Sequence, residues 1–226
     1  MQHLSKRIGI VILFAIAMAW VESAVVVYLR VPMGRVNPYQ ANPLPSMPSA
    51  DWIEVVREAA TMVMLFTVGW LAGRTWRGRL GYAFLIFGVW DIFYYIFLVP
   101  MCGWPQSLLD WDLLFLIPLP WWGPVIAPML IAVLLIISGV LLAISEQRQE
   151  SIWPHKWALI ACVSGTGLAL YTFMETPLQI IGMGEEAIRQ ALPTVFNWPI
   201  FIIGVVLMAA PIVDMVQQSW QSKTTK

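Results

Sequence analysis

Residues 88–100 read GVWDIFYYIFLVP, and the class of the whole protein turns on how that stretch is taken. With Leu80–Phe87 before it, it forms an apolar run of about 20 residues, enough for a helix to cross a hydrocarbon core about 30 Å thick. Asp91 interrupts the run. A carboxylate at the centre of a membrane helix costs about 2.5–3.5 kcal/mol on insertion scales, and an intramembrane ionisable residue is by default a functional-site hypothesis.

The composition agrees with a membrane setting. Of 226 residues, 59% are hydrophobic and 12% charged, with a mean hydropathy of +0.74. A soluble domain carries roughly 25% charged residues. Thirteen basic and thirteen acidic residues cancel, leaving no basic footprint for nucleic acid. The two histidines, His3 and His155, are too far apart in sequence to suggest a haem or multi-histidine zinc site. Cys102 and Cys162 are expected near opposite membrane faces, without a disulfide between them. The chain has no Walker A sequence, Rossmann glycine pattern, H-E-x-x-H or G-x-S-x-G, and S-G-T-G at 164–167 reads as a flexible or tightly packed stretch. The cofactor, if the protein uses one, is not identified by the sequence, and no metal site is expected.

Six stretches meet the length criterion: residues 8–29, 52–73, 80–100, 124–145, 157–178 and 198–217. The fold class expected is therefore all-α, a polytopic bundle of six transmembrane helices forming a single domain over residues 1–226. The basic residues orient it. Lys6, Arg7, Arg74, Arg77, Arg79, Arg148, Lys156, Lys223 and Lys226 flank one side, against Arg30, Arg35, Arg57 and Arg189 on the other. The positive-inside rule then places both termini in the cytoplasm, which for a bacterial chain means the inner membrane. Ala17-Met18-Ala19 fits a signal-peptide cleavage site, but the apolar run continues through Leu29, so a retained span is expected.

The outer connections, 30–51, 101–123 and 179–197, are longer and more patterned than the inner ones. The first is rich in proline (Pro32, Pro38, Pro43, Pro45, Pro48) and ends in Asp51-x-x-Glu54, which resembles a capping box. In the second, Ser107-x-x-Asp110 and Pro118 read as the start and stop of a short interfacial or re-entrant helix near 108–117. In the third, Glu185 and Glu186 lead and Arg189 trails, as a helix dipole prefers. Long outer loops point to function on the extracytoplasmic face. No inverted three-plus-three repeat aligns the two halves.

Depth follows from a rise of about 1.5 Å per residue. Glu22 lies about 22 Å from Arg7, Asp91 about 18 Å from Arg79, Glu58 about 24 Å from Arg74 and Glu175 about 28 Å from Lys156. Four acids on four helices thus fall in the outer half of the bilayer, with Arg57 beside them and Arg30 further out. Ala15, Ala19 and Ser23 make a small-residue ridge beside Glu22. Tyr95 stands one turn from Asp91, where its hydroxyl can donate to the carboxylate. Arg57 is expected to pair with Glu54 or Glu58, and at least one of Glu22 and Asp91 to carry a proton or hold a cation. Asp110 and Asp112 read as a solvated loop face, and Asp214 as a solvated helix end.

Most of the 13 tryptophans suit the membrane interfaces. Trp20 and Trp90 lie deeper and, with Phe93, Tyr94 and Tyr95, would make an aromatic wall for an isoprenoid, a quinone, a lipid tail or an organic cation. The expected site is therefore Glu22, Glu58, Asp91, Glu175, Arg57, Tyr95, Trp90 and Trp20. The leading functional expectation is binding or proton-coupled transport of a small lipid-like or cationic ligand. The alternatives are an intramembrane enzyme that uses Asp91 and Glu22 as acid and base on a lipid or isoprenoid, and an accessory subunit of a larger membrane complex. Expected partners are the lipid bilayer, that ligand, and a membrane protein partner or a second copy of the chain, with no nucleic acid.

Overall fold

A computed structural model describes residues 2–40, 48–116, 118–150 and 152–224. Its helices are α1 (Gln2–Arg30), α2 (Pro48–Ala72), α3 (Trp76–Cys102), α4 (Ile126–Gln147), α5 (Lys156–Gln179), α6 (Glu185–Gln190), α7 (Trp198–Met208) and α8 (Ala210–Thr224). A two-stranded hairpin, β1 (Trp111–Phe115) and β2 (Trp121–Pro124), joins α3 to α4. Six helical segments are long and apolar enough to cross a membrane, with α7 and α8 running on as one of them. The bundle is thus the all-α membrane architecture that the apolar runs imply, with the helix ends shifted from those of the runs. The break at Ala209 has a local cause: Pro211 lacks the N–H that would bond the Leu207 carbonyl, and the Ala209 N–H is shared between Val205 and Val206.

Residues 108–117 do not form the short helix their pattern implied; residue 117 lies outside the described residues. The Asp110 carboxylate accepts from the backbone N–H of Gln106 (2.7 Å) and Ser107 (3.1 Å), and Ser107 Oγ accepts from the Leu109 N–H (3.1 Å). The supposed cap residues therefore close a turn. The chain leaves it extended, pairing Trp111 with Pro124, Asp112 with Gly123 and Leu113 with Trp122, with an irregularity between Leu113 and Phe115. Pro118 and Pro120 disfavour helix in the residues before them, and strand pairing satisfies the backbone of this apolar segment. The capping box at Asp51 is also absent: α2 begins at Pro48, so Asp51 is already helical. Pro43 and Pro45 lie outside the described residues.

α3 is the hub, packing on α1, α2 and α4, while α5 packs mainly on α7 and α8 bridges α4 and α5. Small residues permit the close approaches, as is usual between membrane helices. A Cβ on Gly139 of α4 would meet the Leu85 nitrogen of α3 at 2.7 Å, and one on Gly81 would meet Leu142 Cβ at 2.6 Å. Gly69 of α2 lies equally tight on Ala83, at 2.7 Å, and Gly165 of α5 lies against Gly204 and Leu207 of α7. Ala15, Ala19 and Ser23 are fully buried, and Ser23 Oγ donates to the Tyr94 carbonyl (2.9 Å) across the α1–α3 seam.

Gly165 and Gly167 share a helix but not an environment: a Cβ at 165 would reach Leu207 Cβ at 2.8 Å, and one at 167 meets nothing within 4 Å. Gly165→Ala should destabilise the protein by about 1–3 kcal/mol through overpacking, and Gly167→Ala should be neutral or slightly stabilising. Thermal unfolding of the two variants in one detergent reads the difference.

Candidate functional site

The helices converge on a cavity of about 530 Å³ beneath the hairpin. Glu22 reaches it because it sits beside the buried face of α1: Ser23 turns into α3, and Glu22 turns toward α2. The residue is 6% exposed; one carboxylate oxygen accepts from Thr61 Oγ1 (3.1 Å) and the other pairs with Arg57. Arg57 also holds Glu54 through Nε (2.9 Å) and a terminal nitrogen (2.5 Å). One guanidinium thus bridges two helices through two carboxylates, which fits the fork geometry of arginine. Of the two expected partners Arg57 takes Glu54, while Glu58 accepts from the Leu116 N–H of the hairpin segment (3.4 Å).

A second network holds the hairpin down. Asp112 is 1% exposed and accepts from Arg30 (2.9 Å), from the Tyr95 hydroxyl (3.1 Å) and from its neighbour Leu113 N–H (2.9 Å). The reading of Asp112 as a solvated loop residue is overturned, because the hairpin folds back over the bundle instead of standing in solvent. Burial pushes the Asp112 carboxyl above its ordinary value, while the Arg30 charge and the Arg30 and Tyr95 hydrogen bonds pull it back. Arg30 also lies over the Trp104 ring, 5.0 Å from its centroid, a cation–π distance. Tyr95 is therefore committed to Asp112 and does not donate to Asp91.

The structure brings together Glu22, Arg57, Glu58, Trp90, Asp91 and Tyr95, all of which line the cavity, and adds Arg30, Arg35, Glu54, Thr61, Tyr94 and Asp112. It separates the other two expected residues. Trp20 is 52% exposed and packs edge-on to Phe97 on the outside of the bundle, since one residue's rotation about α1 carries it away from the seam. Glu175 lies in a separate recess with Gln179, Thr194 and Asn197, where the Tyr171 hydroxyl donates to it at 3.5 Å. Asp214, expected to be solvated, accepts from the backbone and ring of His155 (2.6 and 2.8 Å) at the far end of the bundle.

The cavity is amphipathic. Its polar part carries five carboxylates (Glu22, Glu54, Glu58, Asp91, Asp112) and three guanidiniums (Arg30, Arg35, Arg57), a net −2 with all ionised (3 − 5). Its apolar part is formed by Phe87, Ile131, Leu170, Phe173 and Met208. Asp91 Oδ2 and the indole nitrogens of Trp90 and Trp121 are buried without a hydrogen-bond partner among the described residues. Native proteins rarely leave such groups unsatisfied, and each one calls for an explanation. Among the described residues, no group of three or more His, Cys, Asp or Glu side chains is placed to hold a metal ion.

Arg30, Asp112 and Glu54 were missed as site residues because each lies at the edge of a loop in sequence. The one available signal was Asp112 itself, a lone charge inside the apolar run Trp111–Leu116. No known protein family, curated protein or solved structure matches the chain. Fold and composition together define a polytopic helical membrane protein with a buried, charged cavity at one end.

Arg57→Met strands Glu22 as a buried uncompensated carboxylate and should cost about 3–5 kcal/mol. Adding Glu22→Leu should recover most of that loss. A double-mutant cycle in detergent denaturation measures the coupling, and additive losses would show that the two side chains do not interact.

Proposed function

We propose that this protein binds a small amphipathic, lipid-like ligand in the cavity under the hairpin and passes it to or from the bilayer leaflet on that side. The positive-inside pattern makes that leaflet the outer one of a bacterial inner membrane, with both termini in the cytoplasm. The observation that carries the proposal is the division of the cavity into a charged part and an aromatic and aliphatic part. Its volume falls within the range of small-molecule sites, which pair an apolar lining with a few placed polar groups. The intramembrane carboxylates supply proton-accepting groups for coupled movement, as such residues do in other transporters.

One observation favours a second reading, an intramembrane enzyme. Glu22 is neutralised by Arg57, while Asp91 Oδ2 has no protein partner among the described residues. Two carboxyls in such different surroundings suit an acid and base pair. Turnover of a lipid or isoprenoid in detergent, with no gradient present, supports that reading, whereas flux that requires a pH gradient supports transport. Stable co-purification with another membrane protein, with neither flux nor turnover, supports an accessory subunit.

Native mass spectrometry of the protein in nanodiscs tests the cavity directly. The wild type should carry a small-molecule adduct. Leu170→Trp, which fills the apolar part, should lose it while keeping its unfolding temperature. An adduct that survives in the filled variant would place the ligand elsewhere.

A further inference from the structure

Glu22 and Glu54 share Arg57, and Asp112 holds Arg30. Glu58 accepts a backbone N–H. Asp91 stands apart: its Oδ2 is buried in the cavity wall without a hydrogen-bond partner among the described residues. Its surroundings are aromatic. Trp90 precedes it and stacks with Tyr94 one turn on, ring centroids 6.3 Å apart, and Phe87 leans on Trp90 at 5.5 Å. All three rings line the same cavity as Asp91, and the apolar part begins beside them. Electron-rich ring faces next to an uncompensated carboxylate attract a weakly hydrated cation, whose charge the acid offsets and the rings stabilise. A phosphate or carboxylate head would instead meet an excess of acids.

Resting on the reading of the cavity as a site for an amphipathic ligand, we propose that the ligand's head is a lipophilic organic cation, an ammonium or similar onium group, with Asp91 as its counter-ion. The Trp90, Tyr94 and Phe87 rings flank the head, and the ligand's apolar body extends toward Leu170, Phe173 and Met208. The shared chemistry is the onium head, whether it belongs to a free amine or to an aminolipid.

Tetraphenylphosphonium and tetraphenylborate test this, because they share size and shape and differ in the sign of the charge. Binding is measured by equilibrium dialysis of the protein in phosphatidylcholine nanodiscs, with empty nanodiscs subtracted. The wild type should bind the cation at least tenfold more tightly than the anion, and Asp91→Asn should erase the preference without losing its monodisperse profile. If Asp91→Asn does not fold, Asp91→Glu replaces it and should shift the dissociation constant of the cation but not that of the anion. Equal or tighter binding of tetraphenylborate by the wild type overturns the proposal and leaves the amphipathic cavity standing. So does a cation preference that Asp91 substitutions do not change. Failure of both probes while a natural adduct persists in the mass spectrum also defeats the onium head alone. Failure of both with no adduct removes the ligand-binding reading itself. A natural adduct of aminolipid mass identifies the source as a lipid headgroup, and a smaller amine mass identifies a free ligand.

Discussion

The Arg57 guanidinium, held between Glu22 and Glu54, is the interaction on which the site depends. Helix α2 packs on α3 through Gly69 near one end, and at the other end it meets α1 through charge. Isolated ions at that depth would cost several kcal/mol each, and their mutual attraction offsets the penalty only when the geometry is good. Arg57 achieves this by forking to two acids, with Thr61 donating to Glu22 from the next turn of α2. The result is a polar wall inside an otherwise apolar bundle, and the cavity forms against that wall.

The hairpin closes the cavity by the same logic. Its two strands pair with each other, which supplies backbone hydrogen bonds to an apolar segment lying over the helix ends. Asp112 is then carried into the interior, where Arg30 from α1 and Tyr95 from α3 receive it. Three elements distant in sequence meet at one carboxylate. Glu58 adds a fourth tie, from α2 to the Leu116 N–H. Charges that would be a liability in lipid act here as the joints between elements, while glycine and alanine contacts hold the rest of the bundle. Among the described acids of the cavity, Asp91 takes no part in these joints, which is why it is the residue proposed to face a ligand.

Much of this was legible in the chain. The six apolar runs locate the helices to within a few residues, because the thickness of a bilayer sets the length of a span and no tertiary contact is needed to read it. Helical rise put Glu22, Glu58 and Asp91 at one level of the bundle, and all three line the cavity; helical spacing likewise grouped Ala15, Ala19 and Ser23, which are buried. The reading failed where short-range signals compete. Ser107 and Asp110 serve equally well as a helix cap or a turn, and pairing with Trp121–Pro124 decided for the turn. Trp20 and Glu22 are only two residues apart, yet that spacing is about 200° around a helix, enough to put one outside and the other in the cavity.

The sequence by itself determined the class of the protein and the number and approximate length of its spans. These depend on local hydrophobicity and fixed helix geometry. Only the tertiary structure decided which acids share a cavity, that Arg57 bridges Glu22 and Glu54, that Asp112 is buried against Arg30, and that Glu175 stands apart. These depend on how helices rotate and which faces they present to one another. That rotation is set by close packing at Gly69, Gly81, Gly139, Gly165 and Gly204 together with the pairing of Arg57 with Glu22 and of Arg30 with Asp112. Neither condition can be evaluated along a single segment, because each partner comes from another part of the chain.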